Sequence, residues 1–187
     1  MVKITLAAAM LAATVIVPMP TPAADQAFND TVCEKASPVG RRLNDLVSKN
    51  DSLTPELLAT ALEMRDVYAD CVTGYDRDST SRAGHGGEQY GSTNAAIVGR
   101  LYARLALARA EQRVAEYEGY DKKFDDAAAA LADANKRLNE MEAIEPFAQA
   151  HSGTPERRLL ARAQDVRATL ATAATNLAER RASAPKI

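Results

Sequence analysis

The stretch EGYDKKFDDAAAALADANKRLNEM, residues 118–141, carries the clearest fold signal in this 187-residue chain. Its apolar side chains recur three and four residues apart, which places them on one face of a helix. They are Phe124, Ala127, Ala128, Leu131, Ala134, Leu138 and Met141. The spacing predicts a helix over residues 122–143, which Pro146 then ends. Gly119 is predicted to be the left-handed cap of the preceding helix, and Asp121 the N-cap of this one.

The same periodicity runs through most of the chain, and sequence signals for strands are nearly absent. Further amphipathic helices are predicted over residues 25–49, 54–74, 93–118 and 154–183. Residues 25–74 and 93–143 would each form a helical hairpin, with the last helix following them. Pro38 leaves open whether the first helix is kinked or broken. The sequence therefore predicts an all-α protein of about five amphipathic helices, packed as a bundle or as a short array of helical hairpins.

The first 24 residues follow the plan of a secretory signal peptide. MVK supplies positive charge, ITLAAAMLAATVIV (residues 4–17) is an apolar run, and small residues follow it up to Ala24. The run is shorter than the about 20 apolar residues that span a bilayer, so we expect no membrane span after signal cleavage. Residues 25–187 would then form a single helical domain, exported to the periplasm or to the extracellular medium.

Cys33 and Cys71 are the only two cysteines, and an exported chain with two cysteines usually forms one disulfide. Cys33 precedes Ser52, in the predicted turn, by as many residues as Cys71 follows it. Both arms of an antiparallel helical hairpin rise equally per residue, so the two cysteines should lie level with each other. The disulfide should join the first two helices far from their turn, and the chain-entropy model gives it about 4 kcal/mol.

One predicted hairpin, residues 93–141, combines an aromatic side chain with small side chains where two helices would meet. The segment EGYDKKFDDAAAALADA carries this pattern, with its contact positions at Phe124, Ala127, Leu131 and Ala134. It resembles the second half of a tetratricopeptide repeat, and the resemblance covers this one hairpin only, since no period of about 34 residues is visible elsewhere. The resemblance implies a scaffold that binds other proteins, and it implies no catalytic residue.

No arrangement of residues in the sequence specifies a metal, a cofactor or a catalytic reaction. His85 and His151 lie in different predicted linkers, without the spacing of a metal site. The segment DRDST (residues 76–80) begins like an EF-hand loop, but serine and glycine occupy the two later positions where that loop needs Gly and Glu. We therefore expect a protein that is not an enzyme and that has no cofactor and no metal.

A Gly-rich segment, AGHGGEQYGSTN at residues 83–94, lies in a polar stretch without helical periodicity. We predict a Gly-rich loop over residues 75–92 that connects the two hairpins. Loops on rigid scaffolds often carry binding residues, so this loop is also a candidate contact site. The side chains that would make the contact are His85, Glu88, Gln89 and Tyr90.

Arginines of the third predicted helix lie largely outside its apolar stripe. These are Arg100, Arg104, Arg109 and Arg113. They could form a basic strip for an acidic partner. Acidic residues lie among them, which favours a solvent-exposed face of salt bridges instead. These acidic residues are Glu111, Glu116 and Glu118.

Taken together, these features predict an exported, non-catalytic helical module for protein–protein interaction. The partner would be another envelope or secreted protein that docks onto helix faces or onto the Gly-rich loop. A formal net charge of −2 argues against nucleic acid as the partner. The alternative is a small-ligand-binding protein or an enzyme that uses a pocket near the Gly-rich loop. The sequence leaves the oligomeric state open.

Overall fold

The computed structural model describes residues 33–49, 53–83, 90–150 and 154–184. Five helices and no strand occur among these residues. They are α1 (Ala36–Lys49), α2 (Pro55–Ala83), α3 (Tyr90–Tyr120), α4 (Phe124–Ala150) and α5 (Thr154–Ser183). The prediction of an all-α protein of about five helices is therefore confirmed. In this described part, no helix has both the length and the apolar character needed to cross a membrane. The predicted signal peptide lies outside the described residues.

The long helix α3 lies at the centre of the arrangement. It packs against α2, α4 and α5, and α4 and α5 also pack against each other. The helices α3, α4 and α5 thus form a three-helix bundle, α2 covers another side of α3, and α1 packs on α2. Within the described ranges, the backbone of α2 does not closely approach α4 or α5. Two seams therefore run along α3, one between α2 and α4 and one between α2 and α5.

The composition of α3 explains its central position. It buries apolar residues at most positions between residues 97 and 115, and a helix that is apolar on several sides must be surrounded by others. The buried apolar residues are Ile97, Leu101, Ala103, Leu105, Leu107, Ala108, Ala110, Val114 and Ala115. On α4, by contrast, burial follows the single predicted stripe. Its buried members are Ala127, Leu131, Ala134, Leu138 and Met141.

The predicted disulfide between Cys33 and Cys71 is present, with the two Cα atoms 5.2 Å apart. It joins the chain just before α1 to the middle of α2. Residues 33–35 form a turn in which the amide of Ala36 donates to the carbonyl of Cys33 at 3.0 Å. The predicted helix over residues 25–49 is therefore not continuous. Pro38 lies in the first turn of α1, where proline is tolerated.

The predicted start of the second helix is confirmed. Thr54 accepts a hydrogen bond from the amide of Leu57 at 3.2 Å through its hydroxyl oxygen, as an N-cap residue does. Pro55 is the first helical residue.

The prediction of a Gly-rich loop over residues 75–92 is wrong for most of its length. Helix α2 continues to Ala83 and α3 begins at Tyr90, so residues 75–83 and 90–92 are helical. Tertiary contacts explain the extension, because Tyr75 is buried beside Gly99 and Asp76 is bound by two arginines of α3. Such contacts outweigh the weak helix propensities of the polar residues in this segment.

The turn between α3 and α4 also differs from its prediction. Helix α3 runs through Gly119 to Tyr120, and Lys122 has the positive φ of 64°. Gly119 serves close packing instead, because a Cβ atom there would lie 3.0 Å from Cδ1 of Leu177 on α5. Asp121 does not cap α4, which begins at Phe124; its carboxylate lies 2.9 Å from Nζ of Lys123.

Helix α4 is longer than the sequence indicates, because it continues past Ala143 to Ala150 with Pro146 inside it. The fixed φ of proline is compatible with a helix, and the missing N–H removes one backbone hydrogen bond without ending the helix here. Most of the predicted linker after residue 144 is therefore helical, and His151 lies outside the described residues. The C-terminal helix agrees closely with the prediction, since α5 spans Thr154–Ser183.

Candidate functional site

The four arginines of α3 fall into two pairs with different surroundings. Arg100 and Arg104 form ion pairs in the seam between α2 and α4. Arg109 and Arg113 form no ion pair with any residue that the structure describes. The sequence alone had grouped all four together, and their positions in the fold separate them.

Arg104 is the centre of the first pair. Its Nη2 and Nη1 atoms donate to the two carboxylate oxygens of Asp76 on α2, at 2.7 Å and 3.1 Å. Nε of Arg100 donates to the same carboxylate at 2.9 Å. The Arg104 side chain is only 8% exposed, whereas that of Asp76 is 38% exposed, so this bidentate contact is shielded from water on the Arg104 side only.

The same network continues onto α4. Nε of Arg104 lies 3.3 Å from Oε2 of Glu140, whose other oxygen accepts a hydrogen bond from Nη1 of Arg137 at 2.9 Å. Arg137 in turn faces Glu111 of α3, with Nε and Oε1 3.5 Å apart. With Asp76 and Arg100, the network contains three arginines and three carboxylates. The seam between α2 and α4 therefore contains as many carboxyl groups as arginines.

Glu111 and Asp76 show opposite pKa shifts within this network. Burial raises the pKa of Glu111 from its usual 4.5 to about 7, and the charge of Arg137 offsets only part of that shift. Oε2 of Glu111 has no hydrogen-bond partner among the described residues. Burial alone would also raise the pKa of Asp76, but Arg104 and Arg100 lower it below its usual value.

The second arginine pair lies in the seam between α2 and α5. Tyr102, Arg109 and Arg113 share one face of α3, because they are seven and four residues apart, and all three are partly exposed. Burial raises the pKa of Tyr68 on α2, and the nearby charges of Arg113 and Arg109 act in the opposite direction. The pKa of Arg109 is in turn shifted by the charges of two residues of α5. They are Arg162 and Asp165.

These relations place Arg109 and Arg113 between two helices that flank α3. We call this surface the arginine groove, and its members are Tyr102, Arg109, Arg113, Arg162 and Asp165. Helix α5 approaches the floor of the groove closely, since the Thr169 hydroxyl lies 3.2 Å from Oε1 of Gln112. On the α2 side, the hydroxyls of Tyr68 and Tyr102 are hydrogen-bonded, and burial raises the pKa of Tyr68.

The arginine groove is positively charged. Burial lowers the pKa of Arg109, and the nearby charges of Arg162 and Arg113 lower it further. Asp165 and Tyr102 act in the other direction and raise it. Three arginines therefore lie close together beside Asp165, and two of them, Arg109 and Arg113, have no ion-pair partner in the described ranges. Such a site attracts anions.

The acidic residues that the sequence places among these arginines do not neutralise the groove. Glu111 is buried and faces Arg137 on α4. Glu116 accepts a hydrogen bond from Nε2 of Gln112 at 3.0 Å. Neither these two nor Glu118 pairs with Arg109 or Arg113 in the described part of the chain. The prediction of a salt-bridged solvent face is thus wrong for this half of α3, and the basic strip remains.

The candidate contact loop cannot be placed in this geometry. His85, Glu88 and Gln89 lie outside the described residues, and Tyr90 is the first residue of α3. The structure instead brings together residues that sequence reasoning did not single out. They are Arg137, Glu140, Arg162 and Asp165. Asp76, which the sequence offers only as the start of an EF-hand-like segment, instead binds Arg100 and Arg104. Arg137 and Glu140 carried a usable signal, since opposite charges three residues apart face the same side of a helix as part of the apolar stripe.

The described residues contain no group of three His, Cys, Asp or Glu side chains that could hold a metal ion. The two polar sites of the described residues are a partly buried network of arginines and carboxyl groups and a positive groove. Comparison with known proteins adds no relative, because no family model, no curated protein and no solved structure matches this chain.

Proposed function

We propose that this chain is an exported, non-catalytic binding module that docks a protein partner in the arginine groove. The proposal rests on a difference between the arginines of α3, some of which have carboxylate partners while others do not. In the seam between α2 and α4 every arginine has a carboxylate partner, whereas Arg109 and Arg113 have none among the described residues.

Pairing the groove arginines with carboxylates, or replacing them, would increase the stability of the folded protein. Arg109 is partly buried next to two other cations, an arrangement that opposes folding. Groups that disfavour the free protein but complement a partner are typical of binding surfaces, where function and stability compete. Arginine and tyrosine are also the residue types that most often dominate binding energy at protein interfaces. Both types line this groove.

Two further features support an exported interaction module. Residues 1–24 follow the pattern predicted for a signal peptide, and a disulfide is compatible with an oxidising compartment. The resemblance of residues 93–141 to a tetratricopeptide-like hairpin implies a protein-binding scaffold, and the floor of the groove lies on the first helix of that hairpin.

Site-specific photocrosslinking tests the proposed docking surface. A photoreactive phenylalanine analogue would replace the exposed Thr169 at the edge of the groove, or the exposed Lys136 on α4 as the control. A third variant would carry the analogue at Gln89 in the Gly-rich segment. Each mature, oxidised protein would be illuminated in envelope extract of its own host, and crosslinked partners would be identified by mass spectrometry.

We expect one reproducible protein partner crosslinked from Thr169 and absent from the Lys136 control. A partner crosslinked only from Gln89 would move the contact to the Gly-rich segment and would overturn docking in the groove. Equal crosslinking from Thr169 and Lys136 would indicate non-specific capture. Absence of any crosslinked protein would contradict the interaction function and would favour the small-ligand or enzyme alternative.

A further inference from the structure

The charges and side-chain types of the arginine groove indicate which kind of partner segment binds there. Between Ile97 and Val114, α3 is covered by α2, α4 and α5 except along narrow strips of partial exposure. One strip contains Val98, Tyr102, Ala106, Arg109 and Arg113, spaced four, four, three and four residues apart. The strip is apolar and aromatic towards the start of α3 and cationic towards its end.

The cationic part of the strip can bind two carboxylates side by side. Arg109 and Arg113 are one helical turn apart, which separates their positions by about 6 Å along α3. A guanidinium group binds a carboxylate through two parallel N–H donors, which makes arginine the better cation for this role. Arg162 supplies a third cation from α5, and the carboxylate of Asp165 lies near Arg109.

The charge of the rest of the molecule restricts which anion fits. The whole chain has a formal net charge of −2, so a long polyanion such as nucleic acid would be repelled outside the groove. A short acidic segment avoids that repulsion, because its charges extend no further than the arginines. The partly exposed ring of Tyr102 offers an apolar contact beside the charged part.

From this arrangement we infer that the arginine groove binds an acidic peptide segment of the protein partner, with Asp or Glu carboxylates on Arg109, Arg113 and Arg162. The inference rests on the proposed docking function and names the chemistry of the partner. The acidic side chains of the segment supply the ion-pair partners that Arg109 and Arg113 lack among the described residues. Binding is therefore strongest at low ionic strength and weakens as salt screens the charges.

Fluorescence anisotropy with a labelled peptide of alternating glutamate and glycine tests this inference directly. The protein is the mature, oxidised chain, and a peptide with glutamine in place of glutamate is the matched probe. The test variant carries Arg109→Gln and Arg113→Gln. A control variant carries Lys122→Gln and Lys136→Gln, which remove two exposed positive charges near α4, away from the groove. Circular dichroism establishes that each variant is folded.

We expect the glutamate peptide to bind the wild-type protein and the control variant with affinities within about twofold of each other. The groove variant should bind it at least about tenfold more weakly, the change expected when about 1.4 kcal/mol or more of charge-assisted contact is lost. The glutamine peptide should bind none of the three proteins. Equal weakening in both variants, or equal binding of both peptides, would overturn the inference.

The two proposals fail in different ways. If Thr169 still crosslinks a protein partner while the acidic peptide does not bind, docking in the groove survives and the acidic character of the partner is wrong. If the acidic peptide binds through the arginines while no protein is crosslinked, the groove recognises carboxylates and the docking function is wrong.

Discussion

Glu111 is a carboxyl group buried between α3 and α4, and its ionisation should control stability near neutral pH. Because burial raises its pKa to about 7 in the folded protein, the folded state retains a proton that the unfolded state releases above its usual 4.5. The free energy of unfolding should therefore fall as pH rises from about 5 to 8, by up to about 3 kcal/mol. The pKa of Asp76 is lowered, so its ionisation changes the free energy of unfolding only at pH values below this range.

Replacing Glu111 with glutamine should remove this pH dependence, because an amide carries no charge at either pH. We expect Glu111→Gln to be more stable than the wild-type protein at pH 8 and of nearly equal stability at pH 5. Urea unfolding followed by circular dichroism at the two pH values measures the difference. Parallel unfolding curves for both proteins at both pH values would contradict a buried, titrating Glu111.

Gly99 and Gly40 provide a second comparison of single residues. A Cβ atom at Gly99 would lie 2.5 Å from Cε1 of the buried Tyr75 ring, which cannot move without repacking. We expect Gly99→Ala to lower the free energy of unfolding by about 1–3 kcal/mol despite the better helix propensity of alanine. At Gly40 the nearest atom is the flexible end of Met64, at 2.9 Å, so Gly40→Ala should be nearly neutral. Equal thermal stabilities for the two variants would show that Tyr75 does not pack on Gly99.

Only some of these features of single residues could be predicted from sequence patterns. The disulfide pair was predictable from its symmetry about the turn. The split among the arginines was not, because Arg104 and Arg109 look alike on a helical wheel until the positions of α2 and α5 are known. Likewise, Glu111 looks like a solvating charge in the sequence, and its burial follows from α4 covering that face of α3.

At the scale of the elements, the number and type of the helices followed from periodicity, whereas their ends did not. α2 extends past Gly74 because Tyr75 and Asp76 make tertiary contacts with α3, which are invisible to local propensity. α3 continues through Gly119, where α5 packs closely, so this glycine serves close packing and not the cap that the local sequence predicts. In both cases an interaction between distant segments overrides a local signal.

Helix α1 is the element whose attachment depends most on one covalent bond. Among the described helices it packs only on α2, and the Cys33–Cys71 disulfide fixes its start. Replacing both cysteines with alanine should lower the free energy of unfolding by about 4 kcal/mol in the chain-entropy model. It should also let α1 open without disturbing the bundle of α3, α4 and α5.

Hydrogen exchange with mass spectrometry resolves this opening by segment. In the double alanine variant we expect amides of residues 36–49 to lose protection first, while amides in the middle of α4 keep theirs. Uniform loss of protection across all helices would show that α1 unfolds only together with the bundle. Retained protection in α1 would show that its apolar contacts with α2 suffice without the disulfide.

At the scale of the whole molecule, charge is distributed unequally around the central helix. The seam between α2 and α4 contains carboxylates for each of its arginines and connects three helices through Arg104. The seam between α2 and α5 leaves Arg109 and Arg113 without such partners in the described ranges. We propose that the first arrangement serves stability and that the second serves binding.

The most direct test of that claim compares the unfolding free energies of Arg104→Gln and Arg109→Gln in urea at neutral pH. Loss of Arg104 removes the two charge-assisted hydrogen bonds that it donates to Asp76 and its contact with Glu140, so we expect a loss of about 1.5–3 kcal/mol. Loss of Arg109 removes a partly buried, unpaired cation, so we expect a change within about 0.5 kcal/mol or a small gain. If Arg109→Gln destabilises the protein as much as Arg104→Gln does, both arginines are structural and the groove is not a binding surface.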